Sequence, residues 1–272
     1  MELHRQTFDL CCHGFDLHCA GSRELAISQH LVCVTGTRRT TPYGLALAEA
    51  SGRIVAESGH VLLTTAAMGC SVAAARAALD AGGDVIVMAA TGCNVPYPGT
   101  SRDVFERAGA TISLAEPDAP PTRSAFKSRD HALAHIAETL VICECGMPSG
   151  VVSLAGEMLD LGKRVLAFPG SVFSQTSTGA NALISCGATL LTSTTGLERK
   201  FDCVRERAPR EEHVDDPLLQ ALVANPTRPD DLAHSLGLQP LDILRKLAAY
   251  EMDGKVQRLP DGRYAYVPHS SL

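Results

Sequence analysis

From Leu31 onward, short apolar runs alternate with longer amphipathic segments. The runs cover residues 31–35, 61–65, 85–89, 111–114, 140–143, 165–168 and 189–192. Apolar and polar positions do not alternate within them, which marks strands covered on both faces. Between them lie Ala-rich stretches with helical spacing, such as 43–58, 71–81 and 151–161. Strand following helix in this rhythm predicts βαβ units and a mainly parallel sheet. Gly59, Gly82, Gly83 and Gly162 each fall just after a helix, where a left-handed cap is wanted.

The rhythm has no counterpart at either end. Residues 1–30 are rich in Cys and His and read as an irregular N-terminal extension. The α/β domain is expected over 31–197. Residues 198–216 are heavily charged and read as a linker with a helical start. A small unit follows over 217–268. Leu218, Leu219, Leu222 and Val223 have helical spacing, and Thr227 to Asp230 resembles a capping box. A second helix carries Leu232, Ala233 and Leu236 and stops at Gly237. Pro240 opens a third, with Leu241, Leu244, Leu247 and Ala248 expected inward. Two short strands flank the turn Pro260-Asp261-Gly262. Three helices and a hairpin predict a winged helix.

Composition narrows the function classes. The 272 residues are 45% hydrophobic but only 4% aromatic, so aliphatic side chains must fill the core. The net charge of −6 confines any nucleic-acid contact to a local basic patch. The ten cysteines form no short disulfide framework. No leader precedes them, so reduced thiols in the cytoplasm are expected. No apolar run reaches the roughly 18–20 residues of a membrane helix. Cys11, Cys12, His13, His18 and Cys19 match no paired metal-ligand spacing, so no metal is expected.

Ligands of open parallel sheets bind beyond the carboxyl ends of the strands. The first such loop is Gly36-Thr37-Arg38-Arg39, followed by Thr40, Thr41 and Pro42. Gly36 lets backbone approach a ligand, the next helix offers N–H groups to a phosphate, and the arginines add charge-assisted bonds. A plain βα turn with exposed arginines is the alternative. Tyr97, in a Pro-rich loop, is a base-stacking or a packing residue. Phe126, Lys127 and Arg129 are read as a loop with one aromatic and two cations, set against a helix N-terminus with solvated charges. Gly170, Ser171 and Asn181 complete the candidate nucleic-acid-binding set. G-x-G-x-x-G, Walker-type and G-x-S-x-G motifs are absent, so neither cofactor nor catalytic residues are expected.

Taken in order, the loops resemble the DNA processing protein A (DprA/Smf) family. The residues concerned are Gly-Thr-Arg at 36–38, Pro-Tyr-Gly at 42–44, Tyr-Pro at 97–98 and Ser-Gly at 149–150. Phe-Pro-Gly-Ser at 168–171 and Gly-x-Asn-x-Leu-Ile-x-x-Gly-Ala at 179–188 continue the series. The resemblance implies an extended Rossmann-like α/β fold with helices on both faces of the sheet, plus a C-terminal winged helix. It implies a homodimer that binds single-stranded DNA, protects incoming DNA in naturally competent bacteria and loads a RecA-type recombinase, without being an enzyme. It places DNA contacts at Arg38 and over residues 126–131.

The chain also departs from that pattern. Where the family has an acidic residue it carries Ser71, and where a histidine is expected it carries Ala75. The end of the basic segment reads Arg129-Asp130-His131, which weakens its attraction for phosphate. A phosphoribohydrolase of the LOG type is the rival enzymatic reading. Its Pro-Gly-Gly-x-Gly-Thr-x-x-Glu signature reads Pro148 to Glu157 here, two glycines short and with the glutamate one residue late. A non-catalytic nucleotide-sensing domain is a third reading. Residues 215–272 hold eight acidic against six basic residues, so the winged helix is expected to contact protein rather than duplex DNA.

Overall fold

All but the last of the unalternating apolar runs are strands packed on both faces, and successive residues of each feed two separate cores; Thr189 and Leu190 of the last run are exposed. The computed structural model describes residues 6–12, 14–205, 216–224, 226–253, 255–259 and 261–266. The chain divides into two units, Met1–Arg207 and Ala208–Leu272.

The first unit begins with β1 (Thr7–Cys12), β2 (Phe15–Gly21), α1 (Arg23–Ala26) and β3 (Leu31–Thr35). It continues through α2 (Pro42–Glu57), β4 (Val61–Thr64), α3 (Cys70–Asp80), β5 (Val85–Ala89), α4 (Arg102–Arg107) and β6 (Ala110–Ser113). Then come α5 (Arg123–Ile136), β7 (Thr139–Ile142), α6 (Gly150–Asp160), β8 (Arg164–Ala167), α7 (Thr178–Ser185), β9 (Thr189–Leu190) and α8 (Thr194–Arg205). The nine strands form one sheet in the order β1-β2-β6-β5-β4-β3-β7-β8-β9. All pairings from β6 to β9 are parallel. The order reverses between β3 and β7, and the crevice at such a switch point is where open α/β sheets bind ligands.

Strand alternation divides the core. Leu31 and Cys33 of β3 join Leu133 of α5, Leu154 and Met158 of α6 and Leu183 of α7 on one face. Val32 and Val34 face the other way, with Ile54 of α2, Val72 of α3, Phe105 of α4 and Phe201 of α8. Fully burying an aliphatic or aromatic side chain of this kind stabilises by roughly 1.5–3 kcal/mol. The scarcity of aromatics is met by close helix packing: a Cβ on Gly52 of α2 would lie 2.0 Å from the Ala74 carbonyl oxygen of α3.

Several expectations are corrected. Residues 7–21 are not irregular. They form an antiparallel hairpin, Thr7 opposite Ala20, whose second strand pairs antiparallel with β6 and covers that sheet edge. Leu10, Leu17 and Cys19 point into the core from it. Gly59, Gly82 and Gly162 take positive φ as expected, whereas Gly83 does not. Its constraint is space, with Ala56 Cβ 2.3 Å from where its own Cβ would be. The last apolar run pairs only through Thr189 and Leu190. The charged segment opens inside α8, whose Leu197 and Phe201 are buried. Residues 206–215 of the expected linker, His13, Pro260 and Val267 lie outside the described residues.

The second unit contains α9 (Pro217–Ala224), α10 (Pro229–Leu236), α11 (Pro240–Met252), β10 (Val256–Arg258) and β11 (Tyr264–Tyr266). The two strands pair antiparallel, which gives the expected winged-helix arrangement. Gly237 ends α10 in the left-handed conformation. There is no capping box. Arg228 is the N-cap of α10, and Thr227 instead pairs by its backbone with Tyr264. In α11 the buried residues are Ile243 and Leu247, while Leu241, Leu244 and Ala248 face outward. Leu247 is inward as expected, and Ile243 packs with it in place of Leu241, Leu244 and Ala248.

Candidate functional site

The switch-point loops are built around one carboxylate. Glu144 follows β7 and is only 3% exposed. Its Oε1 accepts from the Thr41 hydroxyl at 2.8 Å and the Thr176 hydroxyl at 2.7 Å. Its Oε2 accepts from the Thr41 N–H at 2.9 Å and the Thr40 hydroxyl at 3.2 Å. Burial raises the pKa of this carboxyl, but the bonds from Thr176, Thr41 and Thr40 together outweigh burial and hold it below the ordinary carboxylate value. Glu144 is therefore an anion at neutral pH, and it ties the loops after β3 and β8 to β7.

Gly36 and Thr37 lie where these loops cross. The Thr37 N–H donates to the Glu144 carbonyl at 2.7 Å. A Cβ on Gly36 would sit 2.6 Å from both that carbonyl oxygen and Cys70 Sγ, so only glycine lets the chain pass. Of the free N–H groups expected at the start of α2, only that of Tyr43 is left without a partner among the described residues. Pro42 has none, Thr41 gives its own to Glu144, and Gly44 donates to the Thr41 hydroxyl at 3.2 Å. The helix dipole is thus already met by an internal anion.

Most of what remains open to a ligand is side chain. Arg38 and Arg39 are exposed, and among the described residues neither side chain has an ion-pair or hydrogen-bond partner. Gly170 and Asn181 form a two-point clasp. The Gly170 N–H donates to Asn181 Oδ1 at 3.1 Å, and Asn181 Nδ2 donates to the Gly170 carbonyl at 3.0 Å. Asn181 therefore fixes the loop after β8 to α7. The next residues are outward: Ser171 is exposed, and Val172 and Phe173 are 79% and 95% exposed.

The second group lies at the ends of β5 and β6. Phe126, Lys127 and Arg129 are not in a loop but in the first two turns of α5, whose N-cap Thr122 accepts from the Ala125 N–H. Phe126 meets Tyr97 edge-on, with ring centroids 5.8 Å apart. Tyr97 is 44% exposed, so the two rings form an accessible aromatic pair. Lys127 is exposed. Arg129 is 7% exposed; it grips Asp130 Oδ1 through Nε at 3.0 Å and Nη2 at 2.7 Å and lies over the Phe126 ring. It lines a cleft of about 220 Å³ with Ala89, Ser113 and Ser128. Arg129 thus orders the aromatic pair, and its charge is largely spent on Asp130.

Two features escaped the sequence reading. Arg123 is exposed at the first position of α5, one turn before Lys127. The i,i+4 spacing that puts both cations on one face was legible once 123–136 was read as a helix. Phe173 stood out only as a lone aromatic in a Ser/Thr-rich loop.

Comparison with known proteins gives a consistent result. The family model of DNA recombination-mediator protein A matches residues 11–202, and that of the DprA winged helix domain matches 205–262. The chain is 31% identical over 252 residues to the DNA processing protein DprA of Mycobacterium tuberculosis. The match covers 88% of the chain and 64% of that relative's length. The structure resembles DNA processing protein A from Streptococcus pneumoniae with a TM-score of 0.64 and 28% identity, over 68% of this chain and 66% of that one. It also resembles DNA processing protein A from Helicobacter pylori, studied for its single-stranded DNA binding mode. There the TM-score is 0.68 at 23% identity, over 76% of this chain and 99% of that one.

Proposed function

The chain belongs to the DNA recombination-mediator protein A family, and from that premise we propose that it binds single-stranded DNA along the carboxyl edge of its Rossmann-like sheet. One observation carries the reading. On a chain of net charge −6, four cations without an acidic partner among the described residues, Arg38, Arg39, Arg123 and Lys127, face solvent at that edge, the last two beside the exposed Tyr97 and the half-buried Phe126. Cations along a track hold phosphates, and an exposed ring such as Tyr97 accepts a base that a duplex keeps stacked. A fold shared with a protein studied for single-stranded DNA binding supports the same ligand.

The mechanism is non-covalent. Glu144 and Asn181 hold the loops, Arg129 orders Phe126, and the four open cations meet the backbone. The protein acts as a mediator and not as an enzyme, passing the bound strand to a RecA-type recombinase. Two copies in a homodimer would join two such edges and raise avidity without new contacts. The phosphoribohydrolase reading loses support from Glu157. It lies seven residues into α6, about 10 Å below the helix start, and contacts His131 of α5. Competition between an unlabelled single strand and a duplex of equal length for a bound fluorescent oligo-dT tests the proposal. The single strand should compete at least tenfold better, and equal competition would refute it.

A further inference from the structure

Away from the carboxyl edge, two helices bring three ligand-type side chains together. His131 and His135 are one turn apart on α5, so both rings project from the same face. Glu157 reaches them from α6. Its Oε1 contacts His131 Nδ1 directly and lies 3.7 Å from His135 Nε2. One ligand atom from each residue falls within 4.8 Å of the other two. Among the described residues this is the one group of three or more His, Cys, Asp or Glu ligand atoms so close together.

We propose that His131, His135 and Glu157 form a binding site for a divalent transition-metal ion of the zinc type. Two imidazoles and a carboxylate are a known zinc ligand set that leaves a fourth position for water. Histidines at i and i+4 on one helix are a spacing that zinc sites use. Tetrahedral ligand atoms 2.0–2.1 Å from the ion are roughly 3.3 Å apart, so binding requires the His131 and His135 rings to turn toward each other about their side-chain torsions while Glu157 draws back from His131. The rings are already held. Phe15, at the tip of the β1–β2 hairpin, packs edge-on against both, at 5.8 Å from His131 and 5.6 Å from His135. The end of α5 is fixed too, because Lys163 Nζ donates to the carbonyls of His135 and of Ala137. The site remains accessible, with side chains 57%, 34% and 33% exposed for His131, His135 and Glu157. Without an ion, two rings share a single carboxylate oxygen. A cation would give each ring its own bond and would clamp α5 to α6.

Cobalt(II) titration of the full-length protein tests the site, because its visible spectrum separates nitrogen–oxygen ligands from thiolates. That matters in a chain with exposed Cys11 and Cys186. The expected result is one equivalent of Co²⁺ bound without a thiolate charge-transfer band. Affinity should fall at least tenfold in His135→Ala and in Glu157→Gln and be unchanged in Cys11→Ser/Cys186→Ser. Zinc should raise the thermal midpoint of the parent and leave Glu157→Gln where it was, since an ion that binds the folded state stabilises it. Far-UV circular dichroism checks each variant; if His135→Ala unfolds, Glu157→Gln and His131→Asn decide. No saturable cobalt binding, a thiolate spectrum, or equal affinity in folded variants would overturn the assignment.

Discussion

At the residue scale the candidate interface separates side chains that hold the loops from side chains that reach out. Glu144 belongs to the first kind. Replacing it with Gln removes a charge that accepts four hydrogen bonds. The expected cost is about 1–3 kcal/mol at pH 7, read from urea unfolding. Because the folded-state pKa of Glu144 is depressed, its contribution is fully present above the ordinary value of 4.5 and drains away as pH falls through the lower folded value. The gap between parent and Glu144→Gln should therefore narrow in acid. A gap that widens below pH 4 would mean the carboxyl is not held ionised. Arg38 and Arg129 make the matching contrast. Arg38→Ala should weaken oligo-dT binding several-fold and reduce the salt slope by about 0.7. Arg129→Ala should chiefly lower stability, because its guanidinium is buried on Asp130. Urea melts and binding titrations on both variants tell these roles apart. Equal loss of salt slope in the two would show that Arg129 reaches the ligand.

At the scale of elements, the strands were legible because burial on both faces writes itself as unalternating apolar runs. The hairpin over 7–21 was not, since an edge hairpin half-open to solvent mixes Asp9, Asp16 and His18 among its apolar residues. At the start of α5 the structure takes the alternative, a helix N-terminus, over the loop. Phe126, Lys127 and Arg129 read as loop chemistry, and the N-cap Thr122 that makes them helical lies outside that group. The His131, His135 and Glu157 group was invisible to spacing rules because its third member is on another helix. Gly36 is a different case: the sequence marked it as a place where backbone could approach a ligand, and the structure gives the glycine another reason, the crossing of two loops. Gly36→Ala forces a methyl against Cys70 and Glu144 and should destabilise by about 1–3 kcal/mol, measured by thermal unfolding. An unchanged midpoint would mean that the loops move apart freely.

At the scale of the molecule, negative charge is denser in the second unit than in the first. The stretch 215–272 holds eight acidic against six basic residues. Lys246 is held by Asp216, which also accepts from the Tyr250 hydroxyl at 2.6 Å and keeps that hydroxyl protonated up to about 12. Arg245 has Asp242 3.9 Å away. Leu241, Leu244 and Met252 of α11 are exposed instead. Arg245→Ala/Lys246→Ala in the full chain should thus leave oligo-dT affinity within about twofold, by anisotropy, if this unit contacts protein. A large loss would assign it to DNA. No described helix is long and apolar enough to cross a membrane.

The most direct test of the carboxyl edge as a single-strand track is the salt dependence of oligo-dT binding, followed by fluorescence anisotropy. Four phosphate contacts on a single strand predict a log–log slope of roughly −3, and Arg38→Ala/Arg39→Ala/Arg123→Ala/Lys127→Ala should flatten it almost to zero. A steep slope that survives the fourfold replacement, or binding indifferent to salt from the outset, would contradict the account.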